Sequence, residues 1–161
     1  MSMINDKREI KGYKEMLDVM VGKKQVEECK VLGKKPKKKI QHEAKEQESL
    51  FIWAKMQENV YPELKLLFHI ANGGSRHKLE AYALKRQGVK SGIPDLMLPV
   101  SRGGYHGLFI ELKVGKNKTS TNQDWWLDEL CNQGYRCEVS YGFEKAKKTI
   151  LQYLKLRQNS R

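Results

Sequence analysis

Two short segments of alternating character, residues 95–100 and 107–114, constrain this chain more than any other feature. In the first, Leu96, Leu98 and Val100 occupy every second position, and in the second Leu108, Ile110, Leu112 and Val114 do the same. A period of two belongs to a β-strand that turns one face to a core. Ser101, Arg102, Gly103 and Gly104 between them form a turn, so the chain folds back and the strands pair. The reversal sets Asp95 opposite Ile110 or Glu111, to within one residue of loop length. Glu111 and Lys113 then project from one face, while Ile110, Leu112 and Val114 take the core side.

The rest of the sequence supplies helices around this pair. From Glu43, the residues Leu50, Phe51, Trp53, Ala54 and Met56 recur at helical spacing, and Leu66 to Ala71 is a short apolar run compatible with a strand. Asn72-Gly73-Gly74 closes that run as a turn, and a helix is predicted over 77–87 with Gly88 ending it in the left-handed region. Ser120 followed by Gln123 reads as a capping box opening a helix, with Trp126, Leu127 and Leu130 inward and Gly134 at its end. Tyr135, Cys137, Val139 and Tyr141 share one face of a further strand. Phe143, Ala146, Ile150, Leu151 and Leu154 describe a last amphipathic helix. The order predicts an α/β fold, a mixed sheet with helices on both sides.

Composition bounds the partners. The chain has 161 residues, enough for one domain and an appendage, and 31 Lys and Arg against 19 Asp and Glu give a net charge of +12. Such an excess favours a polyanion, with nucleic acid foremost and a merely basic soluble protein as the ordinary alternative. Residues 1–40 hold 12 basic and 6 acidic side chains, half the net excess, and read as an accessory segment ahead of a main domain at 41–161. The run Lys34-Lys35-Pro36-Lys37-Lys38-Lys39 is either a solvated linker or a DNA-contacting arm. Three cysteines without a CxxC pair suggest neither a disulfide framework nor a zinc ribbon and fit a reducing, cytoplasmic setting. No apolar run is long enough for a bilayer, so no membrane partner is expected. His42, His69, His77 and His106 lack metal-ligand spacing and are expected at the surface or in packing. Of the tryptophans, only Trp125 is a candidate for base stacking; Trp53 and Trp126 are expected in the core.

Asp95, Glu111 and Lys113 would converge on one patch at the sheet's edge, where two carboxylates can share a hard divalent cation such as magnesium. Phosphodiester hydrolysis requires an attacking water and a counter-charge for the phosphorus centre, both of which a carboxylate-held cation supplies. A lysine adds a point charge without a lone pair to compete for the cation. Taken alone, an acid-x-lysine triplet is as well explained by ordinary cross-strand pairing on a half-exposed strand. Gly92-Ile93-Pro94-Asp95 ahead of the first strand makes the joint pattern more specific, although Gly92 and Pro94 also suit a tight start to the strand.

Gly92-Ile93-Pro94-Asp95, Ile110-Glu111-Leu112-Lys113, and Gln123 with Trp126 and Leu127 resemble the VRR-Nuc family, a branch of the PD-(D/E)XK nucleases. Glu46-Gln47 and Asn72-Gly73-Gly74-Ser75-Arg76 extend the likeness upstream. The resemblance implies a restriction-endonuclease-like fold, Mg²⁺ or Mn²⁺ as cofactor, and cleavage of structured DNA such as Holliday junctions or flaps. It also implies a homodimer, and similarity to stand-alone phage members that act in the host cytoplasm. Asp95 and Glu111 match the metal-binding acids, Lys113 the catalytic lysine and Gln123 the motif glutamine, which also has its capping role. The first-helix acid is Glu46, with Glu43 one turn earlier as the competitor. Asn72 and Arg76 are either DNA contacts or parts of a plain turn, and Lys116 and Lys118 are further DNA-contact candidates. Two other functions share these features: a basic DNA-binding module without chemistry, and a sequence-specific restriction enzyme.

Overall fold

The structure, a computed structural model, describes residues 38–71 and 84–158, with side chains from His42 onward. Helix α1 spans Lys38–Gln57, starting ahead of the expected Glu43, and a 3₁₀ turn at Pro62–Leu66 follows. Strands β1 (Phe68–His69), β2 (Leu96–Leu98) and β3 (Leu108–Lys113) come next, then α2 (Thr121–Asn132), β4 (Arg136–Tyr141) and α3 (Gly142–Leu154). Lys39–Arg161 forms one compact unit. No described helix is long and apolar enough to cross a membrane.

The sheet has the order β1-β2-β3-β4, with β1, β2 and β3 antiparallel and β3 parallel to β4. A parallel pair requires a crossover connection, and α2 provides it. Leu96 pairs with Ile110 and Leu98 with Leu108, so the ladder extended by one residue sets Asp95 against Glu111. One face of the sheet carries Leu96, Leu98, Leu108, Ile110 and Leu112, which form the core with Leu50, Trp53 and Ala54 of α1 and Ala146, Ile150 and Tyr153 of α3. On the other face, α2 lies against β4.

Four expectations are corrected. The 66–71 run is divided between the 3₁₀ turn and a two-residue strand, because Pro62 at the first position of the turn favours its tight winding. β2 ends at Leu98 because Pro99 has no N–H to donate and Val100 N turns back to Leu98 O at 2.9 Å. The inward face of α3 includes Thr149 and Tyr153 as well as Ala146 and Ile150, whereas Leu151 and Leu154 are half-buried. Their polar atoms are satisfied: the Thr149 and Ser140 hydroxyls pair at 3.2 Å, and Tyr153 Oη donates to Val100 O at 2.6 Å. Hydrophobic periodicity does not register such residues. Last, all six residues of β3 are buried, Glu111 and Lys113 included, and β3 lies inside the sheet instead of at its edge. Met97 and Phe109, apolar residues on the charged face, were the sign that this face is covered.

The helix predicted over 77–87 lies mostly outside the described residues; its end at 84–86 is helical, and Gly88 follows with φ +93°. Asn72, Arg76 and His77 also lie outside, as does the basic run up to Lys37. In α2 both halves of the capping box are present, while Trp126, Leu127 and Leu130 are half-buried.

Candidate active site

The end of β3 and the start of β2 bring the central acids together. Asp95 caps the ladder: its Oδ2 accepts from Leu112 N at 2.9 Å, the place a backbone carbonyl would take if β2 began earlier. Glu111 is 1 % exposed, and its Oε1 accepts from Lys113 Nζ at 2.6 Å and from Gln123 Nε2. Its second oxygen, Oε2, is buried with no hydrogen-bond partner among the described residues. An unpaired buried carboxylate oxygen is costly, and a cation is one of the few groups that removes the cost.

The electrostatics follow from this burial. Loss of water pushes the Glu111 carboxyl up to about 7, with the Lys113 bond opposing and the charges of Asp95 and Glu43 adding to the rise. Burial also raises Asp95, offset in part by Leu112 N–H, Lys113 and His69. Two acids held above their ordinary range beside one ammonium make this the candidate functional site.

Gln123 combines the expected capping bond with contacts to the acid–lysine pair. Its Oε1 accepts from Ser120 N at 2.9 Å, completing the capping box, and from Lys113 Nζ at 3.2 Å, while Nε2 holds Glu111. One residue earlier, Asn122 Nδ2 donates to Ser91 O at 2.5 Å, and one turn later Trp126 Nε1 donates to the same oxygen at 3.1 Å. The first turn of α2 therefore grips both halves of the site: the segment that leads to Asp95 and the acid–lysine pair on β3. Gly92 is required there, because its φ is +86° and an added Cβ would sit against the Asn122 side chain. Gly92→Ala is expected to lower stability by about 2 kcal/mol, from the backbone strain and the overlap together, read as a lower urea midpoint at unchanged slope.

The two candidate acids of α1 have different surroundings. Glu46 Oε2 accepts from Phe143 N at 2.6 Å and so caps α3, whose N-cap residue Tyr141 makes no side-chain cap bond. Glu43 is near enough to Glu111 to raise its carboxyl. Glu43 is thus the α1 acid whose charge reaches Glu111, while Glu46 orders the helix beside it. His69 is exposed, in line with a surface or packing residue, and it also stands beside the site: its Nδ1 is 2.8 Å from Asp95 O, and it offsets part of the rise of the Asp95 carboxyl. Lys116 and Lys118 are exposed in the loop from β3 to α2. Trp53 is buried, Trp126 half-buried and Trp125 exposed.

Among the described residues no group of three or more His, Cys, Asp or Glu forms a ready-made metal cluster. The donor set still fits a small hard cation, since Mg²⁺ typically takes one or two carboxylates and completes its shell with water and substrate phosphate. The bare Oε2 of Glu111 is the observation on which that fit rests.

A mixed sheet flanked by helices, with two acids and a lysine gathered where β2 and β3 meet, defines a nuclease-type domain of restriction-endonuclease-like fold. The VRR-NUC domain family model matches residues 34–144, and on that match the chain belongs to the VRR-NUC family. It is also similar to a solved structure described as a VRR_NUC domain protein, at 33 % identity and a TM-score of 0.63, covering 73 % of this chain and 91 % of that one. No curated protein matches the chain.

Proposed function

We propose that this protein is a Mg²⁺- or Mn²⁺-dependent endonuclease that cuts phosphodiester bonds in branched DNA such as Holliday junctions or flaps. The observation that carries the proposal is Glu111, buried with one oxygen bare, in contact with Lys113 and opposite Asp95. Asp95 and Glu111, with Glu43 nearby, are the residues that would hold the cation. When bound, the cation supplies positive charge against the negative charge gathering on the scissile phosphate and acidifies the attacking water.

The chain's own groups do the rest. Lys113 Nζ would hold the attacking water or a phosphate oxygen, and its bond to Gln123 would keep that ammonium from reorganising during the reaction. Buried flanks exclude bulk water and strengthen the ammonium's field. Glu46 shapes the surroundings through α3. Asn72, Arg76, Lys116 and Lys118 are proposed to contact the DNA backbone, with residues 1–40 as a basic accessory segment. A homodimer would match the two-fold symmetry of a four-way junction, which needs two symmetric cuts. Light scattering of the purified chain reads that state directly.

The deciding experiment incubates the full chain with labelled four-way junction, flap and linear duplex. Cutting of a branched substrate is expected with Mg²⁺ or Mn²⁺, none in EDTA, and none by Asp95→Ala. Salt-sensitive binding with no cutting under any condition would instead identify an inactive binding module. Specific cutting of linear duplex would identify a restriction-type enzyme.

A further inference from the structure

Asp95 is held at two places. Its carboxyl takes Leu112 N of β3 at 2.9 Å, and its main-chain oxygen takes both Ile70 N and His69 Nδ1, each at 2.8 Å. A carbonyl oxygen can only accept, so Nδ1 is the donor and carries a hydrogen whatever the charge of the ring. The bond from Ile70 continues the ladder in which Phe68 faces Met97 and His69 faces Leu96. The bond from His69 is additional, and it fills the second lone pair of that oxygen.

The addition falls where the sheet is thinnest. β1 is a two-residue strand at the outer end of the four, and both of its residues are exposed. So short an edge, with little buried apolar surface, opens at low cost. Its end lies against the peptide that joins Asp95 to Leu96, and the setting of that peptide decides where the Asp95 side chain leaves the main chain. Two donors on one oxygen resist a rotation that a single bond allows, so the carboxyl is aimed before any cation arrives. Groups fixed in advance bind more tightly because less freedom is lost on binding. We propose that His69 is a positioning residue of the cation site, its Nδ1–H bond to the Asp95 carbonyl holding that acid in the orientation that receives a divalent cation. The proposal rests on the nuclease reading, which makes Asp95 a cation ligand, and deepens it by giving the edge strand a part in metal binding.

The test counts free Mn²⁺ by electron paramagnetic resonance during titration of the full, DNA-free chain, so no turnover is needed. His69→Ala is expected to weaken Mn²⁺ binding about 10-fold, the lower end of what removal of a hydrogen-bond partner behind a metal ligand costs. Asparagine carries an amide N–H as many bonds from the main chain as Nδ1, and His69→Asn should bind within about threefold of wild type. Glutamine sets its amide one bond further out, at the place of Nε2, and His69→Gln should bind like His69→Ala. Thermal melts fix a temperature at which every variant is folded, where a role confined to stability would leave the affinity unmoved. Rescue by His69→Gln and not by His69→Asn would mean that Nε2 acts on the cation directly and would overturn the proposal. So would a His69→Ala that binds as wild type does, or a His69→Asn as weak as His69→Ala. A wild-type chain that takes up no Mn²⁺ is a different result: it removes the nuclease reading, and this proposal with it.

Discussion

Lys113→Met is expected to slow DNA cleavage about 10²- to 10³-fold, the usual loss when one preorganised electrostatic group is removed from an active site. Methionine keeps most of the apolar stem, so the buried wall of β3 survives and the deficit is one of charge. Loss of the ammonium also removes the contact that opposes the rise of Glu111, so that carboxyl moves above its present value of about 7. The sign of the stability effect follows. Glu111 titrates higher in the folded chain than in the unfolded one, so its contribution is complete below the ordinary glutamate range and is lost as pH rises through about 7. Near pH 6 the variant keeps a neutral acid and its urea midpoint should lie close to wild type. At pH 9 it must ionise Glu111 without the ammonium, with Gln123 as the remaining donor, and the gap should widen. Single-turnover cleavage with Mg²⁺ and urea melts at the two pH values read both effects, and a variant that cuts within about threefold of wild type would remove Lys113 from the chemistry.

Divalent-cation affinity is expected to fall about tenfold per pH unit below about 7, reaching about 100-fold at pH 5, and to level off above. The cause is competition: the cation requires Glu111 ionised, and burial makes the proton a strong rival for the same oxygens. The two ligands act oppositely on the fold. Without the cation, rising pH removes stability as Glu111 ionises. With it, rising pH restores stability, because a ligand bound only by the folded state raises the melting temperature according to its affinity. Calorimetric titration of the DNA-free chain with Mn²⁺ at a series of pH values measures the slope. Glu111→Gln should abolish the pH dependence and weaken binding throughout. An affinity constant between pH 5 and 8 would mean that Glu111 does not hold the cation.

Much of this site was legible before any coordinates, and the reason is local. The turn at Ser101–Gly104 fixed the strand register to within one residue, and Glu111 and Lys113 share a face by the period of a strand. Ser120 and Gln123 announced the start of α2 by the bonds they make. What escaped depended on contacts distant in sequence. Nothing within α1 says that Glu46 serves Phe143, 97 residues away, and leaves Glu43 as the acid that acts on Glu111. The signal lies at the other end of the bond, where Tyr141-Gly142 opens a helix with no side chain suited to cap it. His69 was missed for a similar reason, since its place beside Asp95 comes from pairing between β1 and β2. The depth of Glu111 and Lys113 required recognising Met97 and Phe109 as a second buried layer.

The double hold of Gln123 has a consequence for how this chain can vary in length. The side chain that sets where α2 starts is the one that aims Lys113, so adding a residue between Ser120 and Gln123 would swing the amide about 100° around the helix and release both partners. Adding one between Gly115 and Thr119 would only lengthen an exposed connection and leave the register of the helix untouched. Tolerance to insertion should change abruptly at Ser120, with a permissive stretch ending directly against an intolerant one.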